Sequence, residues 1–339
     1  MKLLILWIII ICLTACGKME TSTSETADPS NGEVALKLIE TIPLQGVEGR
    51  IDHLAIDLKA QRLFVAALGN NTVEIVDLTA GKVTHSISGL DEPQGIVFVP
   101  EFNKIFVANG GNGICEIFDS DTFQKIGQLN LSGDADNIRY NAISKTVYVG
   151  YGNGGLSLIE ASTNKVIGDI KLNGHPESFQ LDLSDARILV NIPSANQIAV
   201  VDSQKQKVIA TWLLTNAVAN YPMALDENQH RLFVGTRFPA KLNIYDSQTG
   251  KQVAGLDSVG DADDIFYDTD HKEIFLIGGE GYVDLFSQED ADHYELATRV
   301  STASGARTGL WVSELNQLYI AVPHRGSQEA EIRVYKLQP

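Results

Sequence analysis

The stretch that decides the fold is RLFVAALGNNTVEIVDLTAGK, residues 62–82, because the rest of the chain repeats its pattern. An apolar run meets a Gly-Asn-Asn turn at 69–71. A second apolar run then ends in Asp77, and a turn closes on Gly-Lys at 81–82. This order predicts two antiparallel strands and the turns that flank them.

The repeat is measured by aligning one aromatic or aliphatic position of the first run in each copy. These reference positions are Phe64, Phe106, Tyr148, Leu189, Phe233, Phe275 and Tyr319. They lie 41 to 44 residues apart, a period typical of β-propeller blades. Helical repeats would need apolar residues at i, i+3, i+4 and i+7, which these windows lack. The sequence predicts an all-β, seven-bladed β-propeller over residues 34–339.

The last blade is one strand short in this reading. Only one strand, residues 332–337, follows Tyr319, whereas residues 35–42 precede blade 1 without a partner of their own. We predict that this N-terminal segment forms the outer strand of blade 7. The ring would then close without exposing unpaired backbone at a seam.

Residues 1–16 read as a leader. Lys2 supplies a positive start, and the apolar run 3–13 is too short to span a bilayer comfortably. Residues 13–17, LTACG, resemble the bacterial lipobox, which implies a lipoprotein signal peptide that ends at Cys16 and lipidation of that cysteine. An ordinary secretory signal or a short membrane anchor are the alternatives. Gly17 is not the Asp associated with inner-membrane retention, so we expect the outer membrane, facing the periplasm or the cell surface.

Residues 17–33 are rich in Ser, Thr, Glu and Gly and predict a flexible tether. The net charge of −17 argues against nucleic acid as a partner and against docking on anionic lipids. The lipid would therefore be the sole link to the membrane of the cell envelope. We expect a monomer, with Cys115 as a small buried residue of a strand.

Several segments resemble the repeat of YVTN-type β-propeller lipoproteins. They are residues 63–66, 70–73, 76–77, 81–83 and 92–97. The resemblance covers residues 36–337 and implies the propeller fold in a periplasmic or cell-surface protein whose ligand is unassigned. Lactonase-type propellers are more distant relatives by architecture, and none of their catalytic residues carries over to this chain.

The residues that begin each innermost strand are expected to surround one opening of the central channel. Arg50 and His175 precede two of these starts, and two turns add further charges on the same face. Such residues either form a solvated rim or build a ligand pocket from several blades. The predicted ligand-binding residues are Arg50, Asp52, His53, Asp136, Asn137, Glu177, Tyr221, Arg237, Asp263, Asp264, Arg307, His324 and Arg325.

The density of carboxylates at this opening raises the question of a metal. No cofactor is expected, although a divalent cation such as Ca²⁺ would find oxygen ligands there. The candidate ligands are Asp136, Asn137, Glu177, Asp263 and Asp264. A zinc site of His53, His175 and His324 is a further alternative. The chain has no Gly-x-Ser-x-Gly elbow for nucleophilic catalysis.

Three functional hypotheses follow. The first is a non-enzymatic envelope protein that holds a small polar molecule or a partner protein at the charged opening. The second is a metal-assisted hydrolase or lyase resembling the lactonase-type propellers. The third is an inert scaffold with a solvated rim.

Overall fold

The computed structural model describes residues 35–338. The predicted leader, the lipidation at Cys16 and the tether lie outside these residues. The described chain forms seven four-stranded antiparallel sheets, each one blade of a ring. No helix within residues 35–338 is long and apolar enough to cross a bilayer.

The first strand, β1 (Ala35–Pro43), joins the last blade. Blade 1 contains β2 (Leu54–Asp57), β3 (Arg62–Ala67), β4 (Thr72–Asp77) and β5 (Lys82–Ser88). Blade 2 contains β6 (Pro93–Val99), β7 (Lys104–Asn109), β8 (Ile114–Asp119) and β9 (Lys125–Asn130). Blade 3 contains β10 (Ala135–Asn141), β11 (Thr146–Tyr151), β12 (Gly155–Glu160) and β13 (Lys165–Lys171). Blade 4 contains β14 (Phe179–Asp182), β15 (Arg187–Ile192), β16 (Gln197–Asp202) and β17 (Lys207–Leu213).

Blade 5 contains β18 (Val218–Asp226), β19 (Arg231–Phe238), β20 (Ala240–Asp246) and β21 (Gln252–Asp257). Blade 6 contains β22 (Ala262–Asp268), β23 (Glu273–Gly278), β24 (Tyr282–Gln288) and β25 (Tyr294–Ser301). Blade 7 contains β26 (Thr308–Val312), β27 (Gln317–Val322) and β28 (Glu331–Gln338), with β1 outermost. Short 3₁₀ turns occur at Leu68–Asn70, Pro100–Phe102, Pro193–Ala195 and Ser313–Leu315.

The core lies between neighbouring blades. All seven reference positions of the repeat are buried. Phe64 and Ile75 of blade 1, for example, share an apolar cluster with Ile96 and Val107 of blade 2. Each sheet is thus covered on both faces, which explains why the strands read as continuous apolar runs and not as alternating ones.

The predicted closure of the ring is confirmed. β1 pairs antiparallel with β28 from Ala35 opposite Gln338 to Pro43 opposite Glu331. Ile42 is fully buried among residues of blades 1 and 7. The N-terminal strand therefore completes blade 7 and covers its outer edge.

A β-bulge recurs where innermost strands begin. In blade 3, Ala135 pairs with Tyr151 and Ile138 with Val149, so that two residues, 136 and 137, lie opposite one. In blade 1, the Ala66 carbonyl accepts a hydrogen bond from the Asp52 amide, and the Ala66 amide donates to the carbonyl of residue 53. Residues 52 and 53 thus lie opposite one residue, as residues 136 and 137 do in blade 3. A bulge re-aims side chains, and in blades 1 and 3 it supplies two residues to the channel.

Candidate functional site

The charged opening predicted from the sequence is present as a cavity of about 280 Å³, which we call the mouth. It is lined by Arg50, Gln94, Asp134, Asp136, His175, Glu177, Tyr221, Arg237, Asp263 and Arg307. A narrower space, which we call the neck, shares five of these residues with the mouth. It is lined by Arg50, Asp52, His53, Asp136, Asn137, Glu177, Ser178, Tyr221 and Asp263. Ten of the thirteen predicted ligand-binding residues thus line the mouth or the neck.

One side of the mouth carries arginines that are paired with aspartates. Arg237 Nη2 donates to Asp263 Oδ1 at 2.7 Å, and its guanidinium lies 4.0 Å from the centroid of the Tyr221 ring. Arg307 Nη2 and Nη1 lie 2.9 and 3.1 Å from the two oxygens of Asp261. Such fork-like pairs fix the position of the guanidinium groups. This side of the mouth is pre-organised and close to neutral.

Arg50 connects the mouth to the neck. Its Nη2 lies 2.8 Å from Asp52 Oδ2 and 3.5 Å from Asp263 Oδ2. The shorter contact is an ion pair without hydrogen-bond geometry, because Asp52 Oδ2 receives no hydrogen bond. Burial raises the pKa of Asp52 to about 7, although His53 and Arg50 oppose the shift. Arg50 itself is 46% exposed and remains open to a ligand.

The opposite side of the mouth carries carboxylates without arginine partners. Asp136, His175 and Glu177 each place one ligand atom within 4.8 Å of the others. His175 Nδ1 lies 2.6 Å from the carbonyl oxygen of Gly152, and its Nε2 lies 3.7 Å from Asp136 Oδ2. The Glu177 carboxylate has no hydrogen bond or ion pair with any described residue.

The pKa values on this side reflect the crowding. Burial and the neighbouring Asp136 raise the pKa of Glu177 to about 8. Burial alone would lower the pKa of His175, but Asp136, the Gly152 carbonyl and Asp134 outweigh it and raise this pKa to about 9. A carboxylate beside another carboxylate resists ionisation. Glu177 therefore lacks enough positive charge nearby to hold it ionised.

A glycine of the neighbouring blade allows this arrangement. A Cβ atom at Gly95 would lie 1.9 Å from the carbonyl oxygen of Asp136. Any other residue at position 95 would push the start of β10 away from β6. The two strands can approach closely, and Asp136 keeps its place in the mouth.

His53 is the centre of the neck. Its Nδ1 lies 3.5 Å from Asp264 Oδ1, and its Nε2 lies 3.7 Å from Asp52 Oδ1 and 3.2 Å from Asn137 Nδ2. Burial would lower the pKa of His53, but the carboxylates of Asp264 and Asp52 outweigh it and raise this pKa to about 10. A ring that is charged at neutral pH donates from both nitrogens, so it would require the Asn137 amide to present Oδ1, an atom that has no other partner.

Three of the predicted residues lie elsewhere. His324 Nδ1 pairs with Glu48 at 2.8 Å, and Arg325 Nη1 donates to Ser304 Oγ at 3.4 Å, away from the mouth and neck. Asp264 accepts from the Gly309 amide at 2.9 Å and lines the channel below the neck. The three-histidine zinc site is not assembled, since His324 lines neither space among the described residues.

Three residues of the mouth are missing from the predicted ligand-binding set: Gln94, Asp134 and His175. Asp134 and His175 each stand two positions before a channel residue, as Arg50 does and as does Asp261, the partner of Arg307. Asp134 and Asp261 have positive φ angles of 34° and 54°, which turn the chain just before the bulge. The position two residues before each pair was the signal that could have identified Asp134 and His175, whereas Gln94 itself lies at the start of β6.

Comparison with known proteins gives the fold and nothing finer. No protein-family model matches the chain, and no curated protein matches it. A solved chain of hydrazine synthase from Kuenenia stuttgartiensis is similar with a TM-score of 0.73 and 14% identity, over 82% of this chain and 95% of that one. A chain of a mitotic checkpoint complex is similar with a TM-score of 0.75 and 13% identity, over 96% and 99%. At these identities the likeness shows a seven-bladed β-propeller.

Proposed function

We propose that this protein is a lipid-anchored protein of the bacterial cell envelope that binds a small polar ligand in the mouth. The observation that carries the proposal is the division of the mouth into two sides. Arginines paired with aspartates occupy one side, and the unpaired Glu177 with Asp136 occupies the other. Envelope location and lipidation rest on the lipobox-like residues that end at Cys16.

The charges specify what such a ligand carries. Asp136 and Glu177 would accept hydrogen bonds from an ammonium group or from several hydroxyls. Arg50, the most open cation of the mouth, would meet a carboxylate or a hydroxyl at the other end. A volume of about 280 Å³ is near the lower end for small-molecule pockets, which favours a compact molecule over a peptide or protein segment.

We expect a double variant, Asp136→Asn with Glu177→Gln, to lose the ligand. Both changes keep the side-chain shape and remove carboxyl groups that a bound ammonium group would hold ionised, and charge-assisted hydrogen bonds contribute about 1.5–3 kcal/mol each. The full chain would be purified in detergent from its native host and denatured, and the released small molecules would be identified by mass spectrometry. The amount of each molecule per mole of protein is the readout.

Glu295→Gln is the matched control, because Glu295 is exposed on the outer strand β25. A molecule retained by the wild type and by this control, but lost by the double variant, would support the mouth as the binding site. The same molecules in equal amounts in all three proteins would contradict it.

A second candidate function, a metal-assisted hydrolase or lyase, is favoured by one observation. Asp136, His175 and Glu177 together offer one nitrogen and two carboxylate oxygens within 4.8 Å of one another. This donor set suits a transition metal better than Ca²⁺, which prefers oxygen ligands. Such an ion would supply the positive charge that Glu177 lacks, and it would polarise a carbonyl or a bound water.

The metal hypothesis predicts about one equivalent of Zn²⁺ or Mn²⁺ per chain after loading and gel filtration. His175→Ala should lower metal content at least tenfold, since each lost ligand weakens a three-ligand site strongly. His293→Ala, at an exposed histidine of blade 6, is the control. Equal metal content in the wild type and in His175→Ala would contradict a metal at this place. Absence of metal from all samples would leave the ligand-binding function as the better proposal.

A further inference from the structure

Below the neck the channel widens into a second cavity of about 480 Å³, larger than the mouth. The innermost strands of all seven blades contribute to its lining. We call it the channel cavity. His53 and Ser178 line both the neck and this cavity, so the neck separates two spaces of different chemistry.

The wall of the channel cavity is largely apolar. Its main apolar residues are Ile56, Ile96, Phe98, Ile138, Phe266 and Leu310. The mouth, in contrast, is lined by charged and polar side chains apart from Tyr221. An apolar wall with a few polar groups is the usual composition of a pocket for an organic molecule.

The wall of the channel cavity includes Arg139, a cation without a carboxylate partner among the described residues. It is half-buried on β10, and its Nη1 donates to the carbonyl oxygen of Ile138 at 2.8 Å. Its guanidinium lies 5.6 Å from the centroid of the Phe179 ring. Its other four N–H donors have no acceptor among the described residues. Every other arginine that residues 35–338 hold fully or partly buried has a carboxylate partner.

An arginine in this position needs an anion. Burial lowers the pKa of Arg139, and the more distant Asp264 and Asp136 offset this only in part. The guanidinium nevertheless stays charged at neutral pH. A partly buried charge without a partner is less favourable than a paired one, and a carboxylate that approached through the channel would accept hydrogen bonds from the free donors of Arg139.

We propose that the channel cavity binds a small organic anion, with its carboxylate on Arg139 and its apolar body along the wall of the channel. The Ser178 hydroxyl, which makes no hydrogen bond with the described residues, would add a donor at the upper end. Asp264 is already held by His53 and by the Gly309 amide. The proposal does not depend on the function proposed for the mouth.

The test uses the full chain in detergent and isothermal titration calorimetry with three probes: benzoate, 4-phenylbutyrate and octanoate. At least one should bind saturably, and its neutral amide should bind at least about tenfold more weakly, because the amide loses the charge-assisted bonds. No saturable binding by any of the three, or equal binding of an acid and its amide, would overturn the proposal.

Variants locate the site. Arg139→Gln should weaken the bound probe at least about tenfold, and Arg139→Lys should restore part of the loss. Arg237→Gln, which alters the mouth, should leave affinity within about twofold. Weakening by Arg237→Gln with no effect of Arg139→Gln would place the probe in the mouth and overturn the proposal. Thermal melts check folding, and the comparison of acid and amide on the wild type decides the case if Arg139→Gln does not fold.

Discussion

Replacing Ile42 with alanine should lower the free energy of unfolding by about 2–4 kcal/mol, whereas the same change at Ile39 should cost less than about 1 kcal/mol. Both isoleucines lie on β1. Ile42 is fully buried in the cluster between blades 7 and 1, and Ile39 is 45% exposed. The difference arises because only Ile42 leaves a cavity when its side chain is shortened. Urea denaturation of the two variants and the wild type measures it.

Removal of the whole strand should have a larger effect. Deleting residues 35–44 removes the buried side chains of Leu36, Ile42 and Leu44 and exposes the edge of β28. Each fully buried aliphatic side chain contributes about 1.5–3 kcal/mol, so a fall in melting temperature of about 10 °C or more is expected. An unchanged melting temperature, or equal effects of Ile42→Ala and Ile39→Ala, would mean that β1 does not close the ring.

Replacing His53 with glutamine should destabilise the protein by about 2–4 kcal/mol at pH 7. The charged imidazole lies between the buried carboxylates of Asp264 and Asp52. Removing one partner of a buried group of charges leaves the others uncompensated, which costs about 3–5 kcal/mol in fully buried cases. His53 retains some exposure, so the smaller figure applies. Urea denaturation at several pH values measures the effect.

The raised pKa of His53 determines how the stability difference between wild type and His53→Gln changes with pH. The pKa of His53 is raised from 6.5 to about 10 in the folded state, so the folded protein holds the proton more tightly than the unfolded chain. The stabilisation is full below about pH 6.5 and is lost as the pH rises through 10. The gap between wild type and His53→Gln should therefore narrow from pH 7 to pH 10. His293→Gln, at an exposed histidine that pairs with the exposed Asp290, should show a much smaller gap. A gap between wild type and His53→Gln that widened with pH would contradict a charged His53.

Much of the architecture could be predicted from sequence because it depends on local patterns. The repeat of Phe64 and its six equivalents fixed the number of blades, and the missing strand of blade 7 identified the role of residues 35–42. Seven of the ten residues of the mouth could be predicted, most of them from the start of each innermost strand. The register of the strands depends on the spacing of residues along the chain, and this spacing is nearly the same in every repeat.

The finer arrangement of the site could not be predicted because it depends on the direction of side chains. The bulges turn Asp264 down into the channel and Asp263 up towards Arg237, although the two are neighbours in sequence. The pairing of Arg307 with Asp261, and the lack of an arginine partner for Glu177, also depend on reach across blades. Arg139 shows nothing in the sequence that distinguishes it from a surface arginine.

Blade 7 joins the two ends of the described chain, since β1 begins at Ala35 and β28 ends at Gln338. During synthesis β1 emerges from the ribosome early, but its partner is made only after all the other strands. The ring can therefore close only after β28, the last strand of the described chain, has been made. Until then blade 7 lacks the strand that joins β1 to β27, and the ring keeps an open edge.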